Sequence, residues 1–119
     1  MDVFLSFIQW IQSNENLIGL RWIFVTCGDW DLKTMLPKQC LLSGILVPNF
    51  AKEWINIKNE FIRIEGKNLD WDANDLLQML EYYKLDHFGK LHSGKDDVVN
   101  IKNIIEKMSY KAILMQNSV

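Results

Sequence analysis

The chain has 119 residues, room for one domain, and is 49% hydrophobic, 24% charged and 12% aromatic with only 2 Pro. Those proportions exclude a disordered, collagen-like or low-complexity chain, and no apolar run reaches the ~18 residues of a membrane-spanning helix. A formal net charge of −2 excludes a bulk electrostatic pull toward nucleic acid, so any such contact has to be local.

The first segment, DVFLSFIQWIQSN, places Val3, Phe4, Phe7, Ile8 and Ile11 on one helical stripe, widened by Trp10, with Asp2 as its cap. Arg21 to Thr26 is dense in aromatic and β-branched residues and predicts a buried central strand ending at Cys27-Gly28. A helical stretch follows through Leu32, Met35 and Leu36, and Pro37 predicts the start of a second short helix with Leu41, Leu42 and Ile45 on its apolar face. After a loop at 47–50, Trp54 to Ile57 predicts a short strand, placed at a sheet edge by Pro48 and the charges around it. Residues 58–72 are polar and ambiguous, with Gly66-Lys67-Asn68 the clearest turn. Asn74 or Asp72 is expected to cap a helix carrying Leu76, Leu77, Leu80 and Tyr83. Residues 86–92 read as a loop. Ser93 opens a last helix with the stripe Val98, Ile101, Ile104, Ile105 and Met108. Ala112 to Met115 reads as a final strand or an apolar tail. One buried strand needs neighbours for its backbone groups, and this order supplies few.

Two clusters carry the chemistry. Gly28-Asp29-Trp30-Asp31 stands at the carboxyl end of the first strand, the edge of an α/β sheet where ligands bind. A carboxylate there can reach a metal ion, although on spacing alone a helix cap is the commoner role for Asp29 or Asp31. Trp30, between the two acids, suits stacking on a nucleobase or wedging beneath a site. In His92-Ser93-Gly94-Lys95-Asp96-Asp97 a loop histidine precedes two acids in the first turn of a helix. That pairing can join a metal ligand to a general base for water; a solvated capping segment is the bland alternative. A zinc site from Cys27, Cys40, His87 and His92 fits poorly, because twelve residues separate the cysteines. The same two cysteines make no disulfide framework and fit a reducing compartment. The segment MDVFLSFIQW lacks the basic region and cleavage site of a secretory signal, so a cytoplasmic or nuclear location is expected.

Taken together, RWIFVTCGDWDLKTMLPKQC, VPNFAKEWINIKN and GKLHSGKDDVVNIKNIIEKMSY resemble the DEDDh 3′–5′ exonucleases in order and spacing. Within them they are similar to the histone-mRNA and RNA-interference-enhancing exoribonucleases, over about Trp22 to Tyr110. The resemblance implies an α/β ribonuclease H-like exonuclease fold, helix-rich with a reduced sheet, and metal-dependent hydrolysis of RNA 3′ ends to nucleoside 5′-monophosphates. It implies His92 as the general base, Asp31 and Asp97 as ligands of Mg²⁺ or Mn²⁺, and Trp30 beside the bound nucleotide. Asp29 and Asp96 are neighbours of the motif acids. The family's first motif, an Asp-x-Glu on its first strand, has no counterpart in the 119 residues. The expected molecule is therefore an N-terminally truncated, single partial domain over 1–119, the C-terminal portion of the fold. Its strand edge would be left open to a second copy or another polypeptide. The competing expectation is a catalytically inactive exonuclease-like fragment acting in RNA or protein binding.

Overall fold

A computed structural model describes residues 2–14, 17–66, 75–90, 92–109 and 117–118. Helix α1 (Asp2–Ser13) forms where the apolar stripe was read. Ile11 is buried, Phe4 and Ile8 are half-buried, and Val3 and Trp10 lie exposed. The helix is held through aromatic rings. Phe7 stacks on Phe24 with centroids 6.3 Å apart, while Trp22 meets Phe24 edge-on at 5.3 Å and Phe50 at 5.4 Å. Offset and edge-to-face contacts of this kind bury large apolar area with defined geometry.

The sheet is small. β1 (Phe24–Thr26) pairs in parallel with β2 (Glu53–Asn56), placing Phe24 opposite Trp54 and Thr26 opposite Asn56. β3 (Asn117–Ser118) joins β2 antiparallel, so the order is β1-β2-β3. Two expectations are corrected here. The first strand is half-buried and, among the described residues, has one partner and one open edge. The Trp54 strand, expected at an edge, is central, with Trp54, Ile55 and Asn56 all buried. Pro48 lies outside it, in the extended residue ahead of a 3₁₀ turn (Asn49–Ala51), where its missing N–H takes nothing from the ladder.

The chain crosses from β1 to β2 through one continuous helical run. A π-helical turn (Asp31–Met35) leads without a break into α2 (Leu36–Leu42), where a fresh start at Pro37 was expected. In the wider turn Leu36 N–H donates to the Asp31 carbonyl, five residues back. That widening accommodates a proline inside a helical run, where an α-helical ring would meet the carbonyl four residues earlier. Leu41 and Leu42 do not extend an apolar face into the core; they are 81% and 74% exposed, and Cys40 is the buried residue of α2.

The polar stretch after β2 is helical from its first residue. α3 (Ile57–Glu65) starts because the Asn56 side chain accepts from Lys58 N–H, satisfying an otherwise orphan donor. Its polar character hides a buried stripe of Ile57 and Phe61, with Glu60 paired to Arg63 at 2.6 Å. Gly66 continues the helical turn, whereas Lys67 and Asn68 lie outside the described residues. α4 (Leu76–Tyr82) is capped by Asp75, which accepts from Gln78 N–H at 2.9 Å. The expected caps Asp72 and Asn74 lie outside the described residues, as does the Ala112–Met115 segment.

α5 (Gly94–Ser109) closes the core, with Ile104 and Met108 packed against Ile57, Phe61, Leu76, Met79 and Leu80. Burying a side chain of this size contributes roughly 1.5–3 kcal/mol. Val98, expected on the same stripe, is exposed. The core thus joins three helices, with Val25 of β1 and Cys27 packed against it.

Candidate active site

Thr26, Cys27, Asp31, Lys58, Asp75, His92 and Asp97 line one cavity of about 490 Å³, with Val25, Leu76, Leu77 and Ile101 as its apolar wall. Asp31, His92 and Asp97, singled out from two motifs some sixty residues apart, therefore meet at one place.

The turn after β1 is held by its neighbours. Gly28 adopts a φ of +111°, a conformation open to glycine and rare for other residues, and its N–H donates to Asn56 Oδ1 at 3.0 Å. Thr26 Oγ1 donates to the Gly28 carbonyl at 2.6 Å. Asp29 Oδ1 accepts from the Trp54 indole Nε1–H at 2.8 Å, so Asp29 ties the turn to the central strand. Lys33 N–H donates to the Asp29 carbonyl, which starts the helical run. Asp31 is left with its carboxylate on the cavity, on a π-turn, a distortion frequent at functional sites. Trp30 is 64% exposed, which removes the wedge reading and leaves an indole face free beside Asp31.

The second motif is fixed just as closely. Asn100 on α5 is fully buried and pins the preceding loop, accepting from Phe88 N–H at 2.8 Å and donating to the Phe88 carbonyl at 3.1 Å. One turn earlier, Asp96 Oδ2 accepts from Lys90 N–H at 2.8 Å. Gly89, at φ +66°, lies so close that a Cβ there would fall on the Asp96 carboxylate. His92 itself has φ +64°. A non-glycine residue in that region stores local strain, which recurs at functional sites when the surroundings hold it. Here the clamps on Phe88 and Lys90 hold the loop, and Asp97 N–H donates to the Ser93 carbonyl at 2.8 Å.

Asp96 and Asp97 thus divide their work. Asp96 is occupied by the loop, and Asp97 Oδ1 is buried with no hydrogen-bond partner among the described residues. A buried carboxylate oxygen without a partner costs free energy unless a cation or proton meets it. That orphan oxygen, beside Asp31, fits a divalent cation that completes its shell with water and phosphate oxygens. No set of three His, Cys, Asp or Glu side chains that would hold a metal occurs among the described residues. The zinc grouping of Cys27, Cys40, His87 and His92 is accordingly absent there, and both cysteines are free thiols.

Two cavity residues were missed by the sequence reading. Asp75 was passed over because the cap was placed at Asn74 or Asp72, and its own cap role appears only with the helix boundary. Lys58 sat in the ambiguous stretch 58–72; the short strand ahead of it was the usable signal. Burial pushes the Cys27 thiol up from its usual range. Lys58 opposes that rise, and Asp75, Asp97 and Asp31 add to it. The thiol accordingly senses every charged carboxylate and ammonium on the cavity wall. No described helix is long and apolar enough to cross a membrane.

No family model matches the chain. It is 40% identical over 112 residues to human ERI1 exoribonuclease 3, a match covering 92% of this chain and 32% of that protein. To the rat 3'-5' exoribonuclease 1 it is 36% identical over 101 residues, covering 85% of this chain and 29% of the relative. The chain therefore spans about a third of the curated relatives it matches. Among solved structures, the nuclease domain of 3'hExo, a DEDDh family member bound to rAMP, superposes with a TM-score of 0.84 at 29% identity. That match covers 99% of this chain and 59% of the solved one. The ribonuclease H-like exonuclease fold read from the paired motifs is the observed fold.

Proposed function

We propose, for a chain related in sequence and in fold to the DEDDh 3′–5′ exonucleases, that residues 1–119 form the C-terminal part of a 3′–5′ exoribonuclease domain. The reading rests on one observation: Asp31, His92 and Asp97 share a cavity in which an Asp97 oxygen is buried and unpartnered. Asp31 and Asp97 would hold a Mg²⁺ or Mn²⁺ ion, which when bound would supply charge neutralisation at the scissile phosphate. His92 accepts the proton of the attacking water on a ring nitrogen. The water oxygen bonds to phosphorus, and the bond to O3′ of the penultimate nucleotide breaks. O3′ leaves with a solvent proton, and the terminal residue departs as a nucleoside 5′-monophosphate. The exposed Trp30 indole stacks on the terminal base, a contact worth about 1–3 kcal/mol in single-strand binders. A cytoplasmic or nuclear location belongs to the same reading, and the β1 edge, open among the described residues, would take a covering polypeptide, either a second copy or another chain.

The test is release of 5′-mononucleotides from 3′-labelled RNA in Mn²⁺. Release by wild type and its loss in His92→Ala is the expected result; equal release by the two proteins removes His92 from its role. The absence of an Asp-x-Glu in the chain, and of a three-ligand set among the described residues, favours a second reading. On that reading this chain binds RNA or protein without turnover. Measurable RNA affinity at low salt with no Mn²⁺ uptake in a titration selects it.

A further inference from the structure

We infer that Lys58 is the phosphate-binding residue of the cavity, its ammonium holding a non-bridging oxygen of the 3′-terminal phosphate of a bound RNA strand. The inference rests on the proposed exonuclease reading and assigns a role to a residue outside both motifs. A phosphodiester entering this cavity meets three carboxylates, those of Asp31, Asp75 and Asp97, and each repels it. Among the described residues Lys58 is the one permanently cationic side chain on the wall. Among the described residues its ammonium makes no ion pair, although three acids line the same cavity. Arg63, on the same helix, is by contrast committed to Glu60 at 2.6 Å.

Two features of the position support the assignment. Lys58 stands in the first turn of α3, where the helix dipole disfavours a cation by roughly 0.3–1 kcal/mol, so helix stability does not explain it. Its root is also fixed to the motif acid. Asn56 Oδ1 accepts from Lys58 N–H and from Gly28 N–H, both at 3.0 Å, and Gly28 begins the turn that carries Asp31. One oxygen therefore ties the backbone at Lys58 to the turn that leads to Asp31. The stem is half-buried, which narrows the volume the ammonium sweeps. The Cys27 thiol, on the same wall, registers the Lys58 charge as the single influence that lowers its pKa.

Adenosine 5′-monophosphate with Mg²⁺ and uncharged adenosine are titrated calorimetrically into the full 119-residue chain as wild type, Lys58→Met and Lys58→Arg. The expected result is a loss of about tenfold or more in monophosphate affinity for Lys58→Met, with adenosine binding unchanged and Lys58→Arg within about threefold of wild type. With a single-stranded oligoribonucleotide, the slope of log K against log salt is expected to fall by about 0.7 in Lys58→Met, one phosphate contact fewer. Equal monophosphate affinity in wild type and Lys58→Met overturns the inference while leaving the exonuclease reading in place. So does an equal loss for adenosine and its monophosphate, which marks a structural role. Wild type that binds neither monophosphate nor oligoribonucleotide overturns the inference together with the reading it rests on.

Discussion

Replacing Gly89 by alanine tests how the loop before His92 is held. Gly89 has φ +66°, where an L side chain costs roughly 1–2 kcal/mol, and its Cβ would fall on the Asp96 carboxylate. The carboxylate can swing away only by giving up the Lys90 N–H, 2.8 Å from Oδ2. A hydrogen bond to a charged acceptor contributes about 1.5 kcal/mol at the low end of its range, the appropriate end for a part-exposed site. The two costs together predict a loss of about 2.5–3.5 kcal/mol for Gly89→Ala in urea unfolding. Gly94→Ala is the comparator. A Cβ there meets nothing within 4 Å and no positive φ is required, so a neutral to slightly stabilising change of up to about 0.5 kcal/mol is expected. A third variant isolates the clash. In Gly89→Ala/Asp96→Ala the obstructing carboxylate is gone, so the double mutant should lose at least about 1 kcal/mol less than the sum of the singles. Strict additivity, or equal effects of Gly89→Ala and Gly94→Ala, refutes the clamp.

The remaining predictions concern the core, the surface and the thiols. Asn100→Ala strands the Phe88 N–H and carbonyl away from their partners and should cost about 3 kcal/mol in urea unfolding. Met108→Ala, at a fully buried core position, should cost about 2–5 kcal/mol, whereas Leu41→Ser and Leu42→Ser should each stay within about 0.5 kcal/mol. Because burial raises the Cys27 thiol in the folded state, its contribution is fully present below the ordinary thiol pKa. That contribution is lost as pH climbs through the raised value, since the unfolded chain releases its proton first. Cys27→Ser should therefore flatten the alkaline fall of stability, measured as urea midpoints from pH 7 upward. Native Cys27 should also react with iodoacetamide more slowly at pH 8 than in the urea-unfolded chain.

Asp31, His92 and Asp97 were singled out by a resemblance carried on two motifs, because local patterning alone favours a helix cap or a solvated capping segment at those positions; the structure brings the three to one cavity. What Asp29 and Asp96 do was not legible, because their partners, the Trp54 indole and Lys90 N–H, depend on tertiary approach. The strand at Trp54 was found but misplaced. Pro48 argues for an edge only if it lies inside the ladder, and it lies ahead of it. α3 was missed because its charged residues are themselves partly buried. Glu60 and Glu65 are inside, the first with Arg63 and the second accepting from the Tyr82 hydroxyl, so polarity there does not signal exposure. Leu41 and Leu42 fail for the opposite reason. Helical spacing says which residues share a face, and only packing says whether that face is covered.

Asp31 lines the candidate active cavity and also a second, almost wholly apolar groove of about 270 Å³ walled by Phe4, Phe7, Phe24 and Phe50. β1, which supplies Phe24, Val25 and Thr26 to that groove, has one strand partner among the described residues. Three carboxylates and one ammonium on the cavity wall leave two negative charges, which one divalent cation neutralises. A second cation would have only the substrate phosphate to offset it, and two such ions at close range repel strongly unless further carboxylates separate their fields. The charge on the described cavity wall is thus balanced by one divalent cation.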